Sequence, residues 1–299
     1  MTKDNVHRCG AVAIIGRPNV GKSTLLNHIL GMKLSIATRK PQTTRHQLLG
    51  IKTNPDSQIL FVDTPGLQKQ PQQAINRYMN RAALSSLDDV DLIVIVIDAG
   101  QWHEHDELAI KAIRDKALPV LLILNKVDKI GNKEQLLDFI QQLNNKFPFQ
   151  GIIPMSARVE SDVMALEQEI IQLLPPGPAE FPEDQLSNRN ERFFAAEFIR
   201  EKLTRKLGDE LPYQLTVTID EFKDEGKCLR ITATIWVQRQ GQKKILIGKD
   251  GAVLKAVGME ARKDMQNMFG QKVYLSTWVK VKKNWTDDDK ALKEFDYFL

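Results

Sequence analysis

Continuous apolar runs, mostly β-branched, punctuate the first half of the chain at residues 11–15, 59–62, 92–97, 120–124 and 152–155. Runs of this length without polar alternation read as strands buried on both faces. Between several of them the spacing lengthens to that of amphipathic helices, as at 106–116 and 133–144. Strands alternating with helices predict an α/β domain with a mostly parallel sheet. Pro175-Pro176-Gly177-Pro178, with Pro182 beyond it, cannot continue a helix and reads as a linker. A different order follows: helix over 190–207, strands over 214–219 and 229–239, helix over 252–268 and strand over 273–281. That order predicts a smaller α+β domain. The expected division is 8–175, a linker over 176–188, a second domain over 189–285 and a tail over 286–299, where Asp287-Asp288-Asp289 suits the N-terminus of a last helix.

Composition narrows the class without changing this picture. With 42% hydrophobic and 27% charged residues in 299, the chain is expected to be a soluble globular protein. Cys9 and Cys228 lack ligand-like spacing and read as reduced cytosolic thiols. No targeting signal is expected at the polar N-terminus. The apolar run at 92–97 falls far short of the roughly 20 residues that span a bilayer.

The candidate chemistry sits at the strand ends. Gly16-Arg17-Pro18-Asn19-Val20-Gly21-Lys22-Ser23 follows the first strand and precedes a helix from Thr24. Such a loop turns successive N–H groups toward phosphates at a helix N-terminus, Lys22 adds charge, and the Ser23 hydroxyl suits magnesium. Gly16, Asn19, Val20, Gly21, Lys22, Ser23 and Thr24 are therefore candidate phosphate contacts. Asp63-Thr64-Pro65-Gly66 follows the second strand, placing one acid near magnesium and the Gly66 N–H near a γ-phosphate. Asn125-Lys126-Val127-Asp128 follows another. A carboxylate at Asp128 pairs the two donors of guanine and is left unpaired by adenine, which selects GTP and GDP over adenine nucleotides. Asn125 would hold the loop, Lys126 cover the ring, and Ser156-Ala157-Arg158 bring the Ala157 N–H to guanine O6. Thr44, within Pro41-Gln42-Thr43-Thr44-Arg45, is the reading for the magnesium-sensing threonine, with Thr43 as the alternative.

Together these elements resemble the translation-factor-related P-loop GTPases. Lys22, Thr44, Asp63, Gly66 and Asn19 are then the candidate catalytic set, with Ser23, Thr44 and Asp63 for magnesium. Leu67 stands where Ras-like proteins carry a water-orienting glutamine. Related GTPases with asparagine at the position of Asn19 bind potassium beside the phosphates, so K⁺ is an expected cofactor beside Mg²⁺.

In the second half, Ile245-Leu246-Ile247-Gly248-Lys249-Asp250-Gly251 places a Gly-x-x-Gly loop between an apolar segment and a helix. From 239 to 283 there are eleven Lys/Arg against three acids, a local charge of +8 in a chain of +4. Concentrated basic charge is a nucleic-acid footprint. The module resembles a bacterial-type KH domain, whose loop clamps single-stranded RNA. The candidate RNA contacts are Arg239, Lys243, Lys244, Ile247, Gly248, Lys249, Asp250 and Gly251.

A P-loop GTPase followed by such a KH domain resembles the Era family, with residues 236–251 and Val281-Lys282-Lys283-Asn284-Trp285 fitting the likeness. The resemblance implies binding near the 3′ end of small-subunit ribosomal RNA, a role in maturing the small ribosomal subunit, and peripheral association with the inner membrane face. A monomer is expected. The alternatives are a constitutive RNA-binding protein with a non-hydrolysing GTP site and a GTPase serving RNA modification. His103 and His105, two apart, do not share a helix face and read as a solvated loop rather than a metal site. Tyr274 and Trp278 fall on one face of a strand, and core packing is the expectation for them, with base stacking as the alternative.

Overall fold

The computed structural model describes residues 6–38, 40, 43–67, 72–131, 133–208 and 211–297. It divides into two compact units: 1–35, 44–71 and 79–188 form the first, and 36–43, 72–78 and 189–299 the second. Of the expected switch loop, Pro41 and Gln42 lie outside the described residues.

In the first unit the order is β1 (Arg8–Ile15), α1 (Lys22–Leu30), β2 (Leu48–Asn54), β3 (Ser57–Asp63), α2 (Ala74–Ser85), β4 (Leu92–Asp98), α3 (Glu104–Ile113), β5 (Val120–Asn125), α4 (Lys133–Asn144), β6 (Gly151–Met155) and α5 (Glu160–Leu173). The start of α2 falls in the second unit. The sheet runs β2-β3-β1-β4-β5-β6. Every pairing is parallel except β2 with β3. Alternation along β1 sends Val12 and Ile14 to a core with Leu25, Leu26 and Leu166, and Ala13 and Ile15 to one with Ile110 and Leu143. Both faces are thus covered, as continuous apolar strands require. The expectation of a buried strand at 152–155 needs correction: β6 is an edge strand, and Ile152 and Ile153 are only half-buried.

The second unit contains α6 (Glu191–Lys206), β7 (Leu215–Asp224), β8 (Cys228–Val237), α7 (Gln240–Ile247), α8 (Ala252–Phe269), β9 (Lys272–Val281) and α9 (Asp289–Glu294). Its sheet runs β7-β8-β9, antiparallel then parallel. Leu229, Ile231, Ala233, Ile235 and Val237 of β8 are buried, and α6 packs on α8 and on β7. The apolar segment before the glycine loop is the last turn of a helix, so the loop joins α7 to α8. Tyr274 and Trp278, expected in the core, are 55% and 63% exposed. Val273 and Val279, on the other face of β9, are buried instead. Asp288 caps α9, accepting from the Lys290 N–H at 2.9 Å.

α6 also carries buried charge. Arg200 is 2% exposed and donates to both Glu197 oxygens, at 2.7 and 2.6 Å, and to the Thr43 carbonyl. Glu201 is fully buried and accepts from the Ala37 N–H at 3.2 Å, while Arg205 donates to the Ala37 carbonyl at 2.8 Å. Residues 36–43 are built into the second unit by these bonds.

Candidate functional site

Parallel strands bring their carboxyl ends to one edge of the sheet, where an α/β fold presents its loops. Gly16–Ser23 leaves β1 there and enters α1 at Lys22. Asn19 takes a left-handed φ of 67° and is exposed, so the loop curls with its side chain outward. Gly21 has a φ of 106°, and a β-carbon on it would lie 2.3 Å from Asn125 Nδ2. Val20 is buried, Thr24 half-buried in the first turn of α1, and Gly16 buried at the strand end. The Lys22 ammonium, 7% exposed, donates to the carbonyls of Gly16 at 2.8 Å and Arg17 at 3.1 Å. Burial pulls its pKa down to about 8, with Asp63 opposing.

Three oxygens meet beside it. Ser23 Oγ and Thr44 Oγ1 are 3.4 Å apart, and Thr44 Oγ1 donates to Asp63 Oδ2 at 3.4 Å. Asp63 is fully buried; burial pushes its carboxyl up, while the Ser35 hydroxyl, donating at 2.7 Å, and Lys22 hold it down. Its second oxygen, Oδ1, is buried without a hydrogen bond among the described residues. A hard-oxygen cluster with one orphaned carboxylate oxygen fits the donor set magnesium takes. Of the two threonines the structure brings Thr44 to this cluster. The Thr43 hydroxyl bonds Thr38 Oγ1 at 2.7 Å and the Lys40 carbonyl at 2.6 Å, within the second unit. Gly66 lies against the phosphate loop, where a β-carbon would meet Pro18 at 3.1 Å.

The base end is assembled by one carboxamide. Asn125 Nδ2 donates to the Val20 carbonyl at 2.6 Å, and Oδ1 accepts from the N–H of Ala157 at 2.9 Å and of Lys126 at 2.8 Å. The exposed Asp128 carboxyl is held below the usual range by the Ser156 hydroxyl, which orients it. Arg158 is exposed next to it.

In the second unit the glycine loop is tightly constrained. Gly248 has a φ of 76°, and a β-carbon there would sit 2.6 Å from Val253 Cγ2. Asp250 is left-handed at 51°, and Gly251, at 76°, has open space around it. Lys249 and Asp250 are exposed at the tip, whereas Ile247 and Lys243 are half-buried on α7, with Lys244 exposed. Arg239 caps α7, its N–H donating to Gln242 Oε1 at 2.9 Å.

Known proteins match both units. Residues 11–126 match the family model described as a 50S ribosome-binding GTPase, and residues 210–286 that of a KH domain. GTPase Era of Stenotrophomonas maltophilia (strain K279a) is 50% identical over 297 residues, 99% of this chain and all of that one. The chain belongs to the Era family of GTPases. Era of Marinobacter nauticus is 54% identical over 96% of the chain and 94% of its own. A crystal structure of Era with MgGDPNP and nucleotides 1506–1542 of 16S ribosomal RNA is 38% identical, with a TM-score of 0.94 over 98% of this chain and all of that one. An Aquifex aeolicus Era variant bound to GDP·AlF4⁻ matches equally well.

The Era-family cleft also holds charges that motif reading passed over. Asp98, which closes β4, binds Arg17 Nη2 and Lys126 Nζ, each at 2.5 Å. Lys126 also donates to the Asn19 carbonyl at 2.6 Å, and Arg17 lies 3.4 Å from the buried Asp106. One carboxylate thus links the phosphate loop to the loop at 125–128. An acid ending the buried run Leu92–Asp98 was the available signal. Asp98→Asn is expected to weaken GTP and GDP alike by about ten- to a hundredfold, the scale of one lost charge-assisted hydrogen bond. Titration with a fluorescent guanine nucleotide reads this, and wild-type affinity for both would remove Asp98 from the site.

Proposed function

We propose that this Era-family GTPase is a nucleotide-controlled RNA-binding factor, which binds small-subunit ribosomal RNA near its 3′ end and assists assembly of the small ribosomal subunit. The observation that carries the reading is a pairing: Ser23, Thr44 and Asp63 gather in one unit, and a Gly-x-x-Gly loop opens the helix α8 of the other. A relative matching the whole chain was captured with MgGDPNP and 16S RNA together. The reading takes 8–175 as the GTPase domain, 176–188 as linker, 189–285 as the KH domain and 286–299 as tail, acting as a monomer. It places peripheral association at the inner membrane face, on the family resemblance alone; among the described residues no helix is long and apolar enough to cross a membrane. Co-sedimentation with anionic vesicles decides that point.

In this reading Lys22 leaves the Gly16 and Arg17 carbonyls for the β- and γ-phosphates, whose charge exceeds theirs. Ser23, Thr44 and Asp63 would hold magnesium, which would supply charge neutralisation at the phosphates. The Gly66 N–H faces the γ-phosphate and couples its presence to the segment that follows. Asp128 accepts from both guanine donors. The Ala157 N–H serves guanine O6 only by sharing its hydrogen between that atom and Asn125 Oδ1. Arg239, Lys243, Lys244, Lys249 and the N–H groups near Gly248 and Gly251 take RNA phosphates, with Ile247 beneath the bases.

Asp128→Asn is expected to move preference from guanine toward xanthine, whose C2 carbonyl meets an amide N–H. Competition binding checks it; undiminished GTP affinity with no gain for xanthosine triphosphate removes the base-reading role.

Leu67 cannot polarise water, so hydrolysis needs another source of charge between the phosphates. In this reading Asn19, exposed and left-handed in the phosphate loop, helps admit potassium beside the phosphates. Turnover is expected to be faster in potassium than in sodium at matched ionic strength, and Asn19→Ala to abolish the difference. Equal wild-type rates in the two salts reject potassium.

For the clamp, substitution at Gly248 would collide with Val253, so Gly251 is the informative position. Gly251→Asp is expected to cost RNA affinity and spare GTP binding. Asp250→Asn should tighten RNA binding, since it removes the acid facing the phosphates. RNA titrations beside GTP titrations, with circular dichroism as a folding control, check both. Wild-type RNA affinity in both variants makes the loop structural only.

A further inference from the structure

The helices of the second unit pack on the odd-numbered face of β8 and β9, where Ile231, Ala233, Ile235, Val273 and Val279 are buried. The even-numbered face of β9 reads Lys272, Tyr274, Ser276, Trp278 and Lys280, with no acid among them. Trp278 is 63% exposed and Tyr274 is 55% exposed. Exposure of two large rings on one edge strand is unusual, because burying either would stabilise the fold. Their cross-strand neighbours on β8 are Thr234 opposite Trp278 and Arg230 opposite Tyr274.

Cations flank the rings. The Arg230 guanidinium lies 5.1 Å from the Tyr274 ring centre, and the Lys280 ammonium 5.5 Å from that of Trp236. Among the described residues Lys272 and Lys280 form no ion pair. Of the nearby acids, Glu225 pairs with Arg230 at 2.8 Å, Glu294 pairs with Lys282 beyond the end of β9, and Asp220 and Glu221 lie on β7, two strands away. Asp220 is engaged by the Thr234 hydroxyl at 2.6 Å. The β9 row is therefore aromatic in the middle and positive at both ends.

We propose that this open face of β9 is a second single-stranded RNA contact, on which Tyr274 and Trp278 each stack one base. The inference rests on the RNA-binding reading above and extends it beyond the glycine loop. Lysines at both ends, unpaired with acids among the described residues, match a phosphate backbone, and the hydroxyls of Ser276 and of Thr232 opposite it, between the rings, suit polar base edges. Four residues of strand separate the rings by about 13 Å. That exceeds the ~3.4 Å step of stacked bases several times over, so the rings take separate, splayed bases of an extended strand. Lys272 and Lys280 then hold the phosphates on either side.

The test uses the full chain with GTP analogue and two kinds of RNA. One is just long enough to fill the glycine loop, about four nucleotides. The other is the same RNA extended by about eight nucleotides, on the 5′ side or the 3′ side. Trp278→Ala and Tyr274→Ala should each lower affinity for one extended RNA by about 5- to 150-fold, the scale of one lost base stack, and leave the short RNA unaffected. Trp278→Phe should retain most of the affinity, and Trp278→Leu should lose it, since leucine is apolar without a π-face. Lys280→Gln should flatten the salt slope for the extended RNA by roughly 0.7. Wild-type binding of the extended RNAs by the alanine variants overturns the proposal, and so does full affinity in Trp278→Leu. If Gly251→Asp still weakens the short RNA in that case, the glycine-loop reading stands and only the second contact fails. If the wild type binds neither RNA, the reading itself is lost.

Discussion

The nucleotide cleft depends on one buried carboxamide. Asn125 spends its amide on the Val20 carbonyl and its oxygen on the N–H groups of Ala157 and Lys126, so three loops from three strand ends share one side chain. It fits only because Gly21 has no β-carbon. Remove the amide and Val20, Lys126 and Ala157 each lose a partner in a place where water does not replace it easily. Asp98 repeats the device with charge, joining Arg17 and Lys126 one strand away. The phosphate end and the base end are therefore tied to each other by bonds within the protein itself. Preorganisation of that kind reduces what binding must spend on ordering loops.

Much of this was legible in the sequence because the constraints are local. A parallel sheet buried on both faces demands continuous apolar runs, and the phosphate loop, Asp63, Asn125 and Ser156 each follow one directly. What escaped was decided by tertiary context. β2 mixes Lys52, Thr53 and Asn54 into its run and pairs only along one edge, so it carries little strand signal. Ile245-Leu246-Ile247 looks like a strand fragment, yet only Leu246 of the three is buried, as one face of a short helix. Even spacing correctly put Tyr274 and Trp278 on one side of β9, but spacing alone cannot say which side the helices cover. Asp98 was missed because its partners, Arg17 and Lys126, lie far from it along the chain.

The two glycine-containing loops solve related problems with different charge. The phosphate loop buries Lys22 and so places its positive charge among the loop's own backbone. The loop at 248–251 exposes Lys249 next to Asp250, so its tip is close to neutral, and the positive field of the second unit comes from α7, α8 and β9 instead. In the proposed reading field and grip are thus separated: the helices and strand would attract a polyanion at a distance, and the loop's backbone shape would seat it.

Residues 36–43 and 72–78 belong to the second unit although the chain on either side of each belongs to the first. Arg200, Glu201 and Arg205 supply the hydrogen bonds that residues 37 and 43 would otherwise lack, and Trp285, Phe295 and Tyr297 bury Ala74 and Ile75. The chain therefore crosses between the units several times, and no single cleavage divides it into two self-sufficient pieces. A cut in the proline-rich segment would leave residues 37, 43, 74 and 75 on one fragment and their partners Arg200, Glu201, Arg205, Trp285, Phe295 and Tyr297 on the other. For folding and degradation, the second unit is thus drawn from three separate stretches of the sequence.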